Sequence, residues 1–213
     1  MIKKYGFTMI ELVFVIVVLG ILASLAMGRM ERDLTQEASE TVLSHIRLAQ
    51  QLALRDNKHR SDNSPNWQKA YWQIDFNCDS SCRYVVGSDI NLDGFISKEE
   101  SAIDPSDGKY LFNDDSGDSE MSDKVLLEKK FGINSITPSV GCDDRISLST
   151  NRDSIAFDYL GRAHVDINIS TNTFSQIMQT DCNLTFGMEA SDSFTITITS
   201  ETGYSFIVGQ PNS

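Results

Sequence analysis

The chain has 213 residues and a formal net charge of −12, with 30 acidic residues against 18 lysines and arginines. Such an acidic surface repels phosphate groups, which disfavours a nucleic-acid-binding head. About 150 residues follow a long N-terminal segment, and this is enough chain for one domain with its own core.

The N-terminus combines a short basic leader with a long apolar stretch. Lys3 and Lys4 precede Gly6, and the stretch Phe7–Met27 carries Glu11 as its only charge. As a helix rising 1.5 Å per residue, it would span roughly 30 Å, the thickness of a bilayer core. The positive leader predicts a cytoplasmic N-terminus, with the rest of the chain on the other side of the membrane.

Glu11 is an acidic side chain well inside this apolar stretch. A carboxylate in a membrane helix costs on the order of 2.5–3.5 kcal/mol, so such a residue usually has a partner. Two interpretations follow: Glu11 is neutralised by a positive group, which we favour, or it lies close enough to the membrane surface to be hydrated.

The run Gly6-Phe7-Thr8-Met9-Ile10-Glu11 resembles the class III signal of type IV prepilins and of the pseudopilins of type II secretion. The resemblance implies that a prepilin peptidase cleaves between Gly6 and Phe7 and methylates the new Phe7 amine. It also implies that this amine pairs with Glu11 of a neighbouring subunit while the helices pack into a filament.

Membership of that family would make the chain a non-catalytic structural subunit, a pseudopilin or minor pilin. The implied partners are other pilin or pseudopilin subunits, the prepilin peptidase and methylase, the inner-membrane assembly platform, and the lipid of the bacterial inner membrane. The implied location is the inner membrane, as a single-pass protein with a periplasmic head, and then the assembled filament.

The segment after the apolar stretch has helical periodicity. Apolar residues recur at steps of three or four positions, which places them on one face of a helix. They are Leu34, Ala38, Val42, Ile46, Ala49 and Ala53. We therefore predict one continuous helix from about Phe7 to about Asp56, with a transmembrane first half and an amphipathic second half facing the head.

Short segments with strand character follow a polar loop that begins at Lys58. They are residues 70–76, 83–86, 125–133, 145–149, 154–158, 163–169, 194–199 and 204–208. The last two should form a C-terminal hairpin. The alternating hydroxyl residues of 194–199 predict that one face of that strand is wet, that is, exposed to solvent. The predicted fold is α+β, with a long helix packed on a head of antiparallel β-sheet. The leader comprises residues 1–6, the helix 7–57 and the head 58–213, and residues 7–27 of the helix are predicted to be transmembrane.

Two further stretches indicate which subgroup of the family the chain resembles. Residues 43–53 and 155–163 look like the corresponding parts of the H-type minor pseudopilins and related minor pilins. In those proteins a Phe-x-x-x-Gly-Arg turn joins two strands, and here Phe157, Gly161 and Arg162 fit it. We expect Gly161 to supply the positive φ of that turn.

Most of the negative charge lies in an insert at about 88–123. Between Asp89 and Asp123 there are eleven acidic residues against two lysines, a net charge of −9. The insert opens with a twelve-residue pattern that matches calcium loops, with oxygen donors at positions one, three, five, seven, nine and twelve. These donors are Asp89, Asn91, Asp93, the backbone carbonyl of Phe95, Ser97 and Glu100.

The loop resembles those of EF-hand and dockerin modules, with Gly94 at the sharp bend and Ile96 as an anchor. A strand precedes it where an EF-hand has a helix, so we predict a static structural Ca²⁺ ion. A second acidic stretch, 113–120, lacks the spacing and is predicted to be a solvated loop.

Four cysteines, Cys78, Cys82, Cys142 and Cys182, all lie in the predicted external domain. An even number in an oxidising compartment suggests two disulfides, with three possible connectivities. The short Asp79–Ser81 turn favours Cys78–Cys82, which leaves Cys142–Cys182.

No catalytic motif surrounds His45, His59 or His164, and we expect each to be a surface or hydrogen-bonded structural residue. The sequence therefore predicts no enzyme. The alternative to a filament subunit is a single-pass, membrane-anchored calcium-binding protein that does not polymerise.

Overall fold

The computed structural model describes residues 8–58, 66–142, 153–165, 167, 176–189 and 192–210. Within these ranges the N-terminal helix is continuous from Met9 to Arg55 (α1), as predicted. Thr8 caps its first turn, and the chain leaves the helix at Asp56. The predicted cleavage site between Gly6 and Phe7 lies outside the described residues.

The apolar stripe of α1 forms one side of the core. Its members from Ala38 to Ala53 are buried, and Leu34 packs against the edge of the same cluster. This confirms the helical period that the sequence indicated for the second half of α1.

The head consists of two four-stranded antiparallel sheets. The first has the order β2-β1-β4-β5 and the second β3-β6-β7-β8. In chain order the strands are β1 (Trp72–Asn77), β2 (Arg83–Ser88), β3 (Ile133–Pro138), β4 (Asp153–Phe157), β5 (Ala163–Val165), β6 (Cys182–Met188), β7 (Phe194–Ile198) and β8 (Ser205–Ile207). The α+β class with antiparallel sheets is therefore confirmed.

Both sheets pack on the same helix. α1 contacts β1 and β4 of the first sheet and β7 and β8 of the second. The side-chain amide of Gln50 donates to the carbonyl of Gly161 at 2.9 Å and to that of Thr202 at 2.8 Å, so one helical residue links the turns of both sheets. The rings of Phe76 (β1) and Phe186 (β6) meet edge to face, which joins the sheets directly.

Two predicted turns are confirmed. Gly161 has φ +82° in the turn between β4 and β5. The C-terminal hairpin pairs β7 with β8 in the register Ile196 with Ile207. The predicted wet face of β7 is wrong in part, because Thr197 is buried and donates a hydrogen bond to Asn183 Oδ1.

The strand predicted at 125–133 is wrong. That segment forms a 3₁₀ turn, Asp123–Val125, and a short helix, Leu127–Phe131 (α2), which ends at Gly132 with φ +71°. Leu127 and Phe131 are buried four residues apart while the residues between them are exposed, which is a helical pattern. Strands β3 and β6 were not predicted, and the predicted strand 145–149 lies outside the described residues.

We predict that truncating Ile46 to alanine will lower the free energy of unfolding by about 2–5 kcal/mol, since this side chain is 0 % exposed and its loss leaves a cavity. Leu54→Ala on the same helix is the control. Leu54 is 52 % exposed, so the expected change is within about 0.5 kcal/mol. Urea unfolding of the purified full chain, followed by near-ultraviolet circular dichroism, measures both, and equal losses would contradict the buried helix face.

Candidate calcium loop and N-terminal helix

The predicted calcium loop is attached at both ends to strand β2. The Ser88 amide donates to the carbonyl of Glu100 at 3.1 Å, and the Ala102 amide donates to the carbonyl of Val86 at 2.7 Å. The loop therefore leaves the strand at Asp89 and returns beside it twelve residues later. A strand precedes the loop, as predicted, and an EF-hand helix does not.

Side-chain oxygens at the first three predicted donor positions turn toward the loop backbone. Asp89 Oδ2 accepts from the Gly94 amide at 2.7 Å, Asn91 Oδ1 from the Asp93 amide at 2.8 Å, and Asp93 Oδ1 from the Phe95 amide at 2.8 Å. These bonds curl the chain around its own acidic side chains.

Glu100 closes the loop from the other end. Its Oε1 accepts from the amides of Ile90 and Asn91 at 3.0 and 3.1 Å, and its Oε2 accepts from the amide and hydroxyl of Ser97. The carboxylate at position twelve is thus held against the beginning of the loop, which is the placement that the pattern predicts.

The loop backbone is bent at two left-handed residues. Gly94 has φ +87° and Leu92 has φ +62°. A non-glycine residue in this conformation costs roughly 1–2 kcal/mol, so the surrounding hydrogen bonds must hold Leu92 there. The sequence signalled the first bend through Gly94 but gave no sign of the second.

Asp89 is buried with one oxygen unsatisfied. The residue is 0 % exposed, and Asp89 Oδ1 has no hydrogen-bond partner within the described part of the chain. Burial raises the pKa of Asp89, the amides of Gly94 and Leu92 lower it, and the negative charges of Asp93 and Glu100 raise it further. Because a buried unpaired charge is expensive, either a proton or a positive partner must neutralise a carboxyl group in this position.

In the described ranges, no three or more His, Cys, Asp or Glu side chains are grouped so that they could hold a metal ion. The predicted donor set mixes three carboxylates with an amide, a hydroxyl and a backbone carbonyl, and its carboxylates accept from loop amides and hydroxyls. Calcium binding therefore stays a prediction.

A glycine that the sequence analysis missed allows the loop to lie close to the sheet. A Cβ on Gly87 would lie 2.4 Å from Ile96 Cγ2 and 2.6 Å from the Glu100 carbonyl oxygen. Ile96 is buried at this contact. Any larger residue at position 87 would push both the predicted anchor and the end of the loop away from β2.

The second acidic stretch, 113–120, is mostly exposed, as predicted, and it also pairs with the calcium loop. Lys98 Nζ lies 2.6 Å from both Asp118 Oδ2 and Glu120 Oε2 and sits over the ring of Tyr110. Asn113 is buried and donates to the carbonyl of Ser122. Hence Lys98, at position ten of the calcium loop, is a counter-ion for two acidic residues of the stretch 113–120 and links that stretch to the loop.

Both disulfides of the favoured pairing are present, Cys78–Cys82 and Cys142–Cys182. The first closes the turn between β1 and β2. The second joins the segment after β3 to the start of β6. Both disulfides therefore lie within the head.

Two of the three histidines are buried and hydrogen-bonded, and His59 lies outside the described residues. His164 Nε2 is 3.2 Å from Asp158 Oδ2, which also accepts from Arg162. Burial raises the pKa of Asp158, but the bonds from His164 and Arg162 outweigh it and bring the pKa to about 2. His45 contacts Tyr84 and Asp104.

Glu11 has a local role that the sequence analysis missed. Its Oε2 accepts from the Thr8 amide at 2.8 Å and from the Thr8 hydroxyl at 2.7 Å, while Thr8 Oγ1 accepts from the Glu11 amide. This is a capping box, and its signal, Thr-x-x-Glu before an apolar run, is visible in the sequence. Glu11 thus helps to begin the helix in which it lies.

The N-terminal part of α1 does not pack on the head. Its large apolar side chains from Met9 to Leu22 are exposed. Within the described residues, we find no helix with a stretch both long and apolar enough to cross a membrane.

Comparison with known proteins bears on the same segment. Residues 1–27 match the prokaryotic N-terminal methylation motif. The chain carries the class III signal of type IV pilins and pseudopilins. No curated protein and no solved structure is similar enough to the chain to count as a match.

Proposed function

We propose that the chain is a non-catalytic subunit, a pseudopilin or minor pilin, of a type II secretion pseudopilus or a type IV pilus. The methylation motif at residues 1–27 carries this proposal. The exposed apolar side chains of α1 support it, because such a surface needs lipid or other helices to cover it.

In this proposal α1 has two parts with different partners. Its second half is buried under the head of its own subunit, while its first half anchors the protein in the inner membrane and then packs against other subunits. The peptidase and methylase would act at Gly6 and Phe7, and the assembly platform would feed the helix into the filament. The head would face the periplasm.

Glu11 would serve both the single helix and the filament. Within one subunit its carboxylate accepts from Thr8. In a filament it would also pair with the methylated Phe7 amine of a neighbour, which neutralises the charge in apolar surroundings. These two roles have different requirements, since a cap needs only a hydrogen-bond acceptor and the pairing needs the charge.

We further propose that the loop from Asp89 to Glu100 binds one structural Ca²⁺ ion. The unsatisfied oxygen of the buried Asp89, beside the charges of Asp93 and Glu100, supports this proposal. The ion would satisfy that oxygen and offset the mutual repulsion of the three carboxylates. Asn91, Ser97 and the carbonyl of Phe95 would complete the set of oxygen ligands.

The mature N-terminus tests the filament proposal directly. In its own host, the protein should have the mass of residues 7–213, less the four hydrogens lost in two disulfides, with one methyl group in place of an amine hydrogen. A Gly6→Val variant should keep the leader, because the small residue before the cleaved bond is replaced. Mass spectrometry measures both, and an intact, unmethylated Met1 in the wild type would support the non-polymerising membrane anchor.

Substitutions at Glu11 separate charge from capping. Glu11→Val removes both and should leave membrane insertion intact while abolishing incorporation into filaments. Glu11→Gln keeps an acceptor for the Thr8 amide but removes the charge, and we expect it to impair incorporation nearly as much. Immunoblots of sheared filaments and membranes report the result, and normal incorporation of Glu11→Gln would rule out the pairing role.

Calorimetry tests the calcium proposal. The purified wild type should bind one Ca²⁺, and an ion concentration about a hundred times the Kd should stabilise the fold by about 2.7 kcal/mol. Asp93→Ala and Glu100→Gln should each weaken binding by at least about tenfold, or 1.4 kcal/mol.

Glu99→Gln is the matched control for Glu100→Gln. Glu99 is exposed, lies next to Glu100 and is not among the predicted donors. The Glu99→Gln variant should therefore bind Ca²⁺ with the affinity of the wild type. If the wild type shows no heat of binding with Ca²⁺, or if Glu99→Gln and Glu100→Gln bind Ca²⁺ with the same affinity, the calcium site is rejected.

A further inference from the structure

A cavity of about 420 Å³ lies between the first sheet and the calcium loop. Its lining includes Val85 of β2, Phe95 and Ile96 of the loop, and Phe112, which follows the loop in the insert. Binding sites for organic ligands typically have volumes of roughly 300–1,000 Å³, so the cavity is large enough to receive a side chain or a small molecule. Neither the filament proposal nor the calcium proposal assigns it a role.

The cavity lies on the face of the first sheet that points away from α1. Side chains alternate between the two faces of a strand. Tyr84 and Val86 of β2 belong to the buried cluster that includes α1. Arg83 and Val85, which alternate with them, therefore point to the opposite face, where both line the cavity.

In the described lining, the polar side chains already have interaction partners, with one exception. Asp114, for example, accepts a hydrogen bond from the Ser116 amide at 3.0 Å, so its carboxylate is turned toward its own loop. Asn113 donates to the carbonyl of Ser122. The polar lining residues with partners are Asp75, Asn77, Tyr84, Asn113 and Asp114.

Arg83 is the exception. It is half-buried, and in the part of the chain that the structure describes its guanidinium forms neither a hydrogen bond nor an ion pair. The bonds from Ser116 lower the pKa of Asp114, and the charge of Arg83 adds to this lowering from a greater distance. A guanidinium stays charged at any physiological pH, and a charge withdrawn from water without a partner is costly. The cavity therefore offers a positive group to an anion.

Charge and lining favour a carboxylate over a phosphate as this anion. A guanidinium pairs with either group through two parallel hydrogen bonds. The adjoining insert is strongly acidic, and a phosphate carries about two negative charges, so a phosphate would be repelled more strongly than a carboxylate. The apolar lining from Val85, Ile96 and Phe112 favours an apolar group next to that carboxylate.

The exposure of Phe95 indicates how large the ligand is. This residue is 65 % exposed, although Ile96 beside it is buried. A small acid held inside the cavity would leave most of the Phe95 ring in water. A polypeptide that crosses the cavity would cover the ring, and burial of apolar surface favours that arrangement.

We propose that the cavity is a docking site for a partner protein, which places an acidic side chain on Arg83 and a neighbouring apolar side chain against Phe95 and Phe112. Charge complementarity at Arg83 sets the sign of the partner's group, and the apolar lining adds contact area. The site needs neither the filament role nor a bound Ca²⁺ ion, because its lining is already assembled in the described chain.

Titration of the purified full chain with blocked tripeptides tests the proposal. Acetyl-Leu-Glu-Leu-amide should shift the nuclear magnetic resonance signals of the Arg83 Nε–H group and of the Val85 and Phe112 amides to saturation. The tripeptides with glutamine or lysine in place of glutamate should bind at least about tenfold more weakly, since they lack the charge-assisted pair. Equal affinity for the three tripeptides, or no saturable shift with the first, overturns the proposal.

Two further ligands test the size and the charge of the occupant. Phenylacetate, a small apolar acid, should bind more weakly than the glutamate tripeptide, and equal or tighter binding would contradict a docking role. Inorganic phosphate should also bind more weakly, and tighter binding would contradict the choice of a carboxylate. The protein is freed of metal on a chelating resin, and the tripeptide titration is repeated with added Ca²⁺, which keeps the outcome separate from that of the calcium site.

Substitutions of basic residues assign the binding to Arg83. Arg83→Gln should weaken binding of the glutamate tripeptide at least about tenfold. Arg83→Lys keeps the charge but not the geometry for two parallel bonds, so its affinity should fall between those of Arg83→Gln and the wild type. Lys130→Gln is the matched control, because it removes one positive charge from an exposed residue of α2 outside the cavity lining. Equal affinities of Arg83→Gln and Lys130→Gln would rule out the role of Arg83.

Substitution of Asp114 covers the case in which Arg83→Gln does not fold. Asp114→Asn keeps an oxygen for the Ser116 amide but removes a negative charge from the cavity lining. A carboxylate ligand should then bind more tightly, by roughly twofold for the loss of one nearby like charge in water. A site for cations would respond in the opposite direction, so weaker binding of the glutamate tripeptide by Asp114→Asn contradicts the proposal.

Discussion

The buried stripe of α1 is the constraint on which the head depends. In the described part of the chain, the main hydrophobic cluster contains residues of α1 and of both sheets, so the two sheets share a core with the helix. Burial of that stripe removes apolar surface from water at about 25 cal/mol per Å². The same helix continues to Met9, and its large apolar side chains from Met9 to Leu22 are exposed, so the element that organises the head also carries an uncovered apolar surface.

Charge is arranged around this helix at two separate places. At its beginning, Glu11 caps the first turn and is the only acid in the apolar stretch. Near its middle, His45 meets the acidic insert through Asp104. The insert concentrates negative charge. Lys98 within it pairs with Asp118 and Glu120, and Lys124, just after it, pairs with Asp104 and Asp107.

How far the sequence predicts the candidate site depends on the range of the interaction. The loop from Asp89 to Glu100 was predictable because donor spacing and Gly94 act within twelve residues. The capping box of Thr8 and Glu11 was equally local, and its pattern was present but not recognised. The need for glycine at position 87 had no local signal in the sequence, because the atoms that a Cβ there would meet belong to Ile96 and Glu100.

By itself the sequence determined the long helix, the N-terminal signal, the loop pattern and the final hairpin, because each depends on periodicity or spacing between near neighbours. Only the tertiary structure decided that 127–131 is helical, that β3 and β6 pair, and that Thr197 is buried. It also brought His45, Tyr84 and Asp104 together from three elements. Contacts between distant segments determine these features. A short apolar run is compatible with either a helix or a strand, and its tertiary contacts decide between them.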